Sequence, residues 1–253
     1  MLAYRDLTNR IIGLARSLAI YHAIPLRQRR MRHLYAQFVS HGDLVFDLGA
    51  HAGNRTRAFA AMGCRIVAVE PQPDFARLLR LLFARSPVVE VIEAAVASGP
   101  GQTPLFISDR TPTVTTIAAP WHEARAREPD FSGVRWDRRI DVRTTTLDLL
   151  IERFGMPAFV KIDVEGSEPG VLAGLSRPVR SLSFEYLPRA LDCVRACVAR
   201  LSTLARYQFN WSAGESYRLA SGRWMTDAEL FAALETADAQ RRPGDVFARL
   251  EAS

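Results

Sequence analysis

Residues 44–71 read LVFDLGAHAGNRTRAFAAMGCRIVAVEP. The apolar run LVFDL is expected to form a buried strand closing on Asp47, and a glycine turn follows it. A helix over 54–62 and a second strand over 65–70, ending on Glu70, complete the unit. Strand, glycine turn, helix and strand in this order build a nucleoside pocket. Gly49 and Gly53 let the backbone come close to a ligand. Glu70, at the tip of the second strand, is placed to accept hydrogen bonds from both hydroxyls of a ribose.

The turn separates the candidate nucleosides. A dinucleotide site needs G-x-G-x-x-G, because a pyrophosphate sits on bare backbone at a helix N-terminus. Here the spacing is Gly49-Ala50-His51-Ala52-Gly53, with His51 where a middle glycine would stand and no third glycine in register. Asp47 adds a carboxylate that repels a pyrophosphate and suits a cation. S-adenosylmethionine carries an ammonium and a sulfonium beside its adenosine, and is the cofactor this segment favours.

Outward from this unit, strand and helix patterns alternate. Helices are expected over 74–84, 147–154, 168–175 and 189–204, and strands over 88–92, 140–145, 158–163 and 179–185. This predicts an α/β fold with a mostly parallel sheet covered by helices on both faces. Short strands are expected over 102–108 and 113–117, and edge strands over 206–211 and 216–219. A helix over 226–237 carries a capping box from Thr226 to Glu229. Residues 119–139 read as a long polar loop on the substrate side; Trp121, Phe131 and Trp136 in it either cover an acceptor or anchor the loop. Residues 1–40 read as an amphipathic helical appendage broken at Pro25, packed on the main domain of residues 41–253 or on a second copy in a homodimer.

Four strands therefore close on acids: Asp47, Glu70, Asp163 and Glu185. In open parallel sheets ligands bind at the carboxyl ends of strands, so these acids mark one site. The segment FVKIDVEGSEPGVLAGL, residues 159–175, carries the second part of it. Lys161 is the single lysine in a chain with 33 basic residues. It shares a strand face with Asp163 and is placed to reach Asp163 and Glu185. It reads either as an ion pair joining two strands or as a group that orients Asp163 or helps deprotonate an acceptor. Asp163 and Glu165 are the foremost candidates for a base acting on an acceptor hydroxyl, with His51 a third. Asp163, Glu165 and Glu185 could offer hard oxygens to a divalent cation, but no metal motif accompanies them and none is assigned.

Composition bounds the partners. The formal charge of +6 is carried almost wholly by arginine, and favours an anionic acceptor such as a sugar phosphate. The basic stretch at Arg27–Arg32 lies at helical spacing beside Leu34 and Phe38, and reads as a solvated helix face rather than a nucleic-acid site. No apolar run is long enough to span a membrane, and no signal peptide is apparent. Cys64, Cys193 and Cys197 lack metal-ligand spacing and read as buried thiols of a cytoplasmic protein.

Taken in order, VFDLGAHAGNRT, VAVEPQPDFARLL, EAAVAS, TTTLDLLIERFG and FVKIDVEGSEPGVLAGL resemble the FkbM-type methyltransferases. The resemblance covers about residues 42–185, with GDVFARL at 244–250 also similar. It implies a Rossmann-like class I methyltransferase fold, S-adenosylmethionine as donor, and transfer to oxygen, often on a sugar or a small metabolite. Carried over by position, Asp47, Gly49 and Gly53, with Ala50, His51 and Asn54 of the same turn, would line the methionine side. Glu70 would take the ribose, with Pro71 and Gln72 beside it; Ala95 would face adenine, and Asp163 would lie near the donor methyl. Ala52 and Asn54-Arg55 depart from the family pattern. The alternatives are an RNA methyltransferase, which would need a basic face with exposed aromatics, and an NAD-dependent oxidoreductase, which would need the missing glycine turn.

Overall fold

The computed structural model describes residues 2–22, 26–128, 131–188, 190–236 and 239–251. The strands are β1 (Leu44–Leu48), β2 (Arg65–Val69), β3 (Val89–Ile92), β4 (Ala95–Val96), β5 (Gly101–Ile107), β6 (Arg138–Thr145), β7 (Phe159–Ile162), β8 (Ser181–Tyr186), β9 (Tyr207–Ala213) and β10 (Gly244–Leu250). The helices are α1 (Leu2–His22), α2 (Arg27–Tyr35), α3 (Asn54–Ala61), α4 (Pro73–Leu82), α5 (Ala119–Arg125), α6 (Leu147–Phe154), α7 (Glu168–Ala173), α8 (Leu191–Leu204) and α9 (Asp227–Leu234). Seven strands form one sheet in the order β3-β2-β1-β7-β8-β10-β9, and β4, β6 and β5 form a small second sheet. The first five strands of the large sheet run parallel, and β10 runs antiparallel between β8 and β9. This is the Rossmann-like class I methyltransferase arrangement that the resemblance implied.

Period-two alternation explains the layering. Val45 and Phe159, one position apart from Phe46 and Val160, point to opposite faces. The first pair packs with Phe247 beneath Met31, Leu34 and Tyr35 of α2 and Phe59 of α3. The second pair packs with Leu182 and Val246 beneath α6, α7 and α8. Each such fully buried side chain contributes roughly 1.5–3 kcal/mol. α2 is thus part of the layer that covers the sheet. α1 lies on the same domain, where Arg10 pairs with Asp74 of α4 and Gly13 packs on the Asp109 carbonyl. The expected break at Pro25 falls outside the described residues.

Three expectations are corrected. Residues 216–219 are not a strand: β9 ends before Gly214 at φ +50°, and Tyr217 at φ +53° is left-handed, which breaks an extended run. The seventh strand is instead β10, inserted between β8 and β9. Residues 113–117 hold a 3-10 turn started by Pro112 and a single bridge from Thr116 to Phe106. The segment 119–139 is not a plain loop: it contains α5 and the first residues of β6. Its tryptophans anchor it. Trp121 is buried against Gly166, and the Trp136 indole N–H donates to the Val114 carbonyl at 3.0 Å.

All parallel strands end at one edge, and the antiparallel β10 begins there. The chain closes this edge at Gly49, where φ is +76° and a Cβ would overlap the Asp163 carbonyl. Gly49→Ala is therefore expected to destabilise the fold by about 2–4 kcal/mol. Gly99→Ala, with open space around it, should stay within about 0.5 kcal/mol. Urea denaturation of both variants checks this contrast.

Candidate active site

A cavity of about 470 Å³ runs along this edge, within the range of ligand pockets. Its wall starts at the end of β2 with Glu70, Pro71 and Gln72, passes Asp47 and the turn after β1, and reaches Asp163 and Glu165 after β7. It continues past Glu185 of β8 to Asp245 of β10 and Glu215 after β9. Neighbouring strands are about 4.8 Å apart, so from β2 to β9 the edge spans roughly 24 Å. Ala94 and Ala95 line the wall beyond β3, and Thr113–Ile117 form the opposite side, tied down where Thr116 Oγ1 donates to the Glu165 carbonyl at 2.7 Å.

Glu70 is nearly fully buried and accepts from the backbone N–H of His51 at 2.8 Å and of Gln72 at 2.9 Å. Burial pushes its pKa up to about 7, against the two backbone hydrogen bonds. Each carboxylate oxygen keeps a lone pair for another donor. His51 serves Glu70 through its backbone, held at φ +47°. Its ring stacks on Phe75 with centroids 4.0 Å apart, and burial lowers its pKa to about 4. A ring so weakly basic, and held by stacking, is a poor candidate for the base. Asp47 receives the Thr56 hydroxyl at 2.6 Å; burial raises its pKa, and that hydrogen bond opposes the rise.

Lys161 is fully buried and does not line the cavity. Its Nζ lies 2.9 Å from Asp245 Oδ1 and 3.5 Å from Asp163 Oδ2, and donates to the Ile162 carbonyl at 3.0 Å. The partner on a second strand is thus Asp245, not Glu185. Lys161 is in register with Ser183 of β8, itself in register with Phe247, so the lysine crosses β8 above a small side chain to reach β10. Burial works to lower the pKa of Lys161, but Asp163 and Asp245 outweigh it and hold the ammonium charged. Asp163 also pairs with Arg55 at 2.9 Å. Burial would raise the Asp163 pKa, and Lys161 and Arg55 overcome it to leave it below the usual value.

Glu165 sits at φ +53° on a loop held by Glu168, whose Oε1 accepts from the N–H groups of Val164 and Gly166 at 3.2 and 3.3 Å. Carboxylate oxygens of Asp163, Glu165 and Glu185 all lie within 4.8 Å of one another. Burial drives both glutamates well above the usual carboxylate range; the charges of Glu185, Asp163 and Glu168 add to it for Glu165, and those of Asp163, Glu168 and Asp245 for Glu185.

The cavity therefore gathers Asp47, Gly49, Ala50, His51, Asn54, Glu70, Pro71, Ala95, Asp163 and Glu165 as the sequence predicted. Gly53 is not among its walls: at φ +74° it starts α3 and packs against Leu79 and Phe83. Sequence reasoning missed Arg55, Asp245 and Glu215. The alternating pattern of GDVFARL was the available signal for Asp245; nothing local marked Glu215.

A family model described as the methyltransferase FkbM domain matches residues 47–217, about two thirds of the chain. The chain belongs to this family. It is a methyltransferase that uses S-adenosylmethionine. No curated protein matches the sequence. Solved structures of similar fold include the O-methyltransferase from Bacillus cereus in complex with SAH, at 14% identity and a TM-score of 0.49 over 97% of this chain and 90% of that one. A TehB-like SAM-dependent methyltransferase from Corynebacterium glutamicum gives 9% identity and 0.46, over 93% of this chain and 94% of its own. Precorrin-6Y C5,15-methyltransferase from Geobacter metallireducens gives 12% and 0.44, over 90% and 86%. The cavity of this methyltransferase suits an adenosyl cation in its own chemistry. Glu70 has acceptor capacity left, the buried Gln72 Oε1 has no partner among the described residues, and carboxylates follow along the wall.

Removing one partner of a buried ion pair leaves a charge uncompensated, at a cost of about 3–5 kcal/mol. Lys161→Ala is expected to destabilise this methyltransferase by that amount in chemical denaturation. Combined with Asp245→Asn, the losses should be clearly less than additive.

Proposed function

We propose that this methyltransferase transfers a methyl group to a hydroxyl of a carbohydrate or other small metabolite that carries no negative charge. The observation that carries this reading is the composition of the cavity wall. Seven carboxylates line it, from Asp47, Glu70, Asp163, Glu165, Glu185, Glu215 and Asp245; among the described residues Arg55 is the one cation on the wall, and Lys161 and Arg27, off it, pair with Asp245 and Glu215. The overall charge of +6 favoured an anionic acceptor. The wall opposes one, because its seven carboxylates outnumber the three cations paired with them, Arg55, Lys161 and Arg27. An RNA backbone is disfavoured by the same repulsion.

S-adenosylmethionine, when bound, supplies the methyl group and leaves as a neutral thioether. Glu70 would hold the ribose hydroxyls, Gln72 Oε1 and Ala95 would face the base, and Asp47 with the turn at Gly49 would take the methionine end. The acceptor would then enter over β8, β10 and β9, where Glu185, Asp245 and Glu215 stand. Asp163, locked between Arg55 and Lys161, is held ionised and is a weak base; it positions the edge. Glu165, whose pKa burial and the charges of Glu185 and Asp163 raise, binds a proton more readily than Asp163 and is the better proton acceptor for a hydroxyl. Lys161 acts through Asp163 and Asp245 rather than on substrate.

Glu70→Ala is expected to weaken S-adenosylhomocysteine binding by about 1–3 kcal/mol in calorimetry. Ribose hydroxyls need the ionised carboxylate. Wild-type affinity should therefore hold above pH 7 and fall as the pH drops below about 7, a dependence that Glu70→Ala removes. Incubation with S-adenosylmethionine and a panel of neutral, amino and phosphorylated sugars tests the acceptor reading. Product nucleoside should form with neutral or amino compounds; turnover confined to the phosphorylated members would overturn it.

A further inference from the structure

Most acids in and beside the cavity are compensated. Asp47 takes the Thr56 hydroxyl, Glu70 and Glu168 take backbone N–H groups, Asp163 has Arg55 and Lys161, Asp245 has Lys161, and Glu215 pairs with Arg27. Glu165 and Glu185 are different. Among the described residues, neither side chain has a hydrogen-bond or ion-pair partner, yet both line the cavity and their oxygens lie within 4.8 Å of each other and of Asp163. Two carboxylates so close repel each other's charge, and the nearby cation, Lys161, is already paired with Asp163 and Asp245.

We propose that Glu165 and Glu185 share one proton while the site is unliganded, give it up when a sulfonium is bound beside them, and take the acceptor's hydroxyl proton as the methyl group moves. This rests on the methyl-transfer reading above and adds Glu185 to the catalytic groups. The placement follows from the strand order. With Glu70 at β2 holding the ribose and the turn after β1 the methionine end, the acceptor side of the cavity would begin at β7 and β8, where these two glutamates stand.

Charged groups from several elements face the pair. Asp163 and Glu168 add negative charge and favour the shared proton; Asp245, on β10, does so for Glu185. Lys161 opposes it, but its charge is already held by Asp163 and Asp245. Arg55 is held by Asp163. The remaining neighbours, Trp121 against Gly166 and Thr116 on the Glu165 carbonyl, do not titrate in the relevant range.

The balance closes. The acceptor oxygen gains the methyl group, the electron pair of the broken carbon–sulfur bond stays on sulfur, and the hydroxyl proton moves to the vacant carboxylate pair. The thioether is neutral, so nothing then competes with the proton. The pair ends a turnover as it began.

Proton counting by calorimetry tests this without knowledge of the acceptor. The full chain is titrated with S-adenosylmethionine and with S-adenosylhomocysteine near neutral pH, each in two buffers of different ionisation enthalpy. The two nucleosides differ in the sulfonium alone, so any proton linked to Glu70 cancels in the difference. S-adenosylmethionine should release about one proton more than S-adenosylhomocysteine. Glu185→Gln and Glu165→Gln should each abolish the excess while S-adenosylhomocysteine still binds measurably. Equal proton release for the two nucleosides in the wild-type protein, which requires no variant to fold, overturns the proposal. So does an excess that survives in both variants, or one that appears only after a chelator has stripped a divalent cation. Failure of both nucleosides to bind would instead bring down the methyl-donor assignment together with this one.

Discussion

One buried ammonium sets the charge balance of the strand-end edge. Lys161 is enclosed between Asp163 and Asp245, with Asp47 beside it in register on β1. Two like charges 4.8 Å apart repel by about 3 kcal/mol at an effective dielectric of ~20. A row of carboxylates is therefore tolerable only if cations are interleaved with it. Lys161 and Arg55 are those cations on β7 and α3, and both converge on Asp163. An arginine could not replace Lys161 simply: its planar fork would have to lie where a slim four-carbon stem now crosses Ser183. This accounts for a lysine at one position in a chain otherwise built with arginine.

The same edge divides its acids into fixed and adaptable ones. Asp163 is fixed by two cations, Glu70 and Glu168 by backbone N–H groups, and Asp47 by Thr56. Backbone donors do not move when a ligand arrives, so Glu70 presents its remaining lone pairs already aimed. The left-handed residues His51 and Glu165 lie at the two turns that carry this preorganisation. Their strained backbone positions turn N–H groups inward and place carboxylates on the wall.

Much of this was legible in the sequence, because the deciding signals are local. Leu44–Leu48 is buried at every position, so its apolar run carries the signal, and Thr226 to Glu229 forms the capping box that the spacing requires. Strand-end acids follow from period and position, which is why Asp47, Glu70, Asp163 and Glu185 were found. What escaped depends on tertiary geometry. The pairing of Lys161 with Asp245 joins residues 84 positions apart across an intervening strand. Gly53 carries the same left-handed signature whether it faces a ligand or, as here, the side chains of Leu79 and Phe83. Residues 216–219 alternate like a strand, and only the left-handed Tyr217 shows why they do not form one.

The insertion of β10 between β8 and β9 has a temporal side. During synthesis by the ribosome the nucleoside half of the sheet, from β3 to β7, is complete long before residues 244–250 leave the exit tunnel. Until they do, Lys161 lacks one of its two counter-charges and β8 and β9 stand apart with unpaired edges. The strand made after β8 and β9 is thus a latch: its arrival brings Asp245 to the lysine and joins β8 to β9.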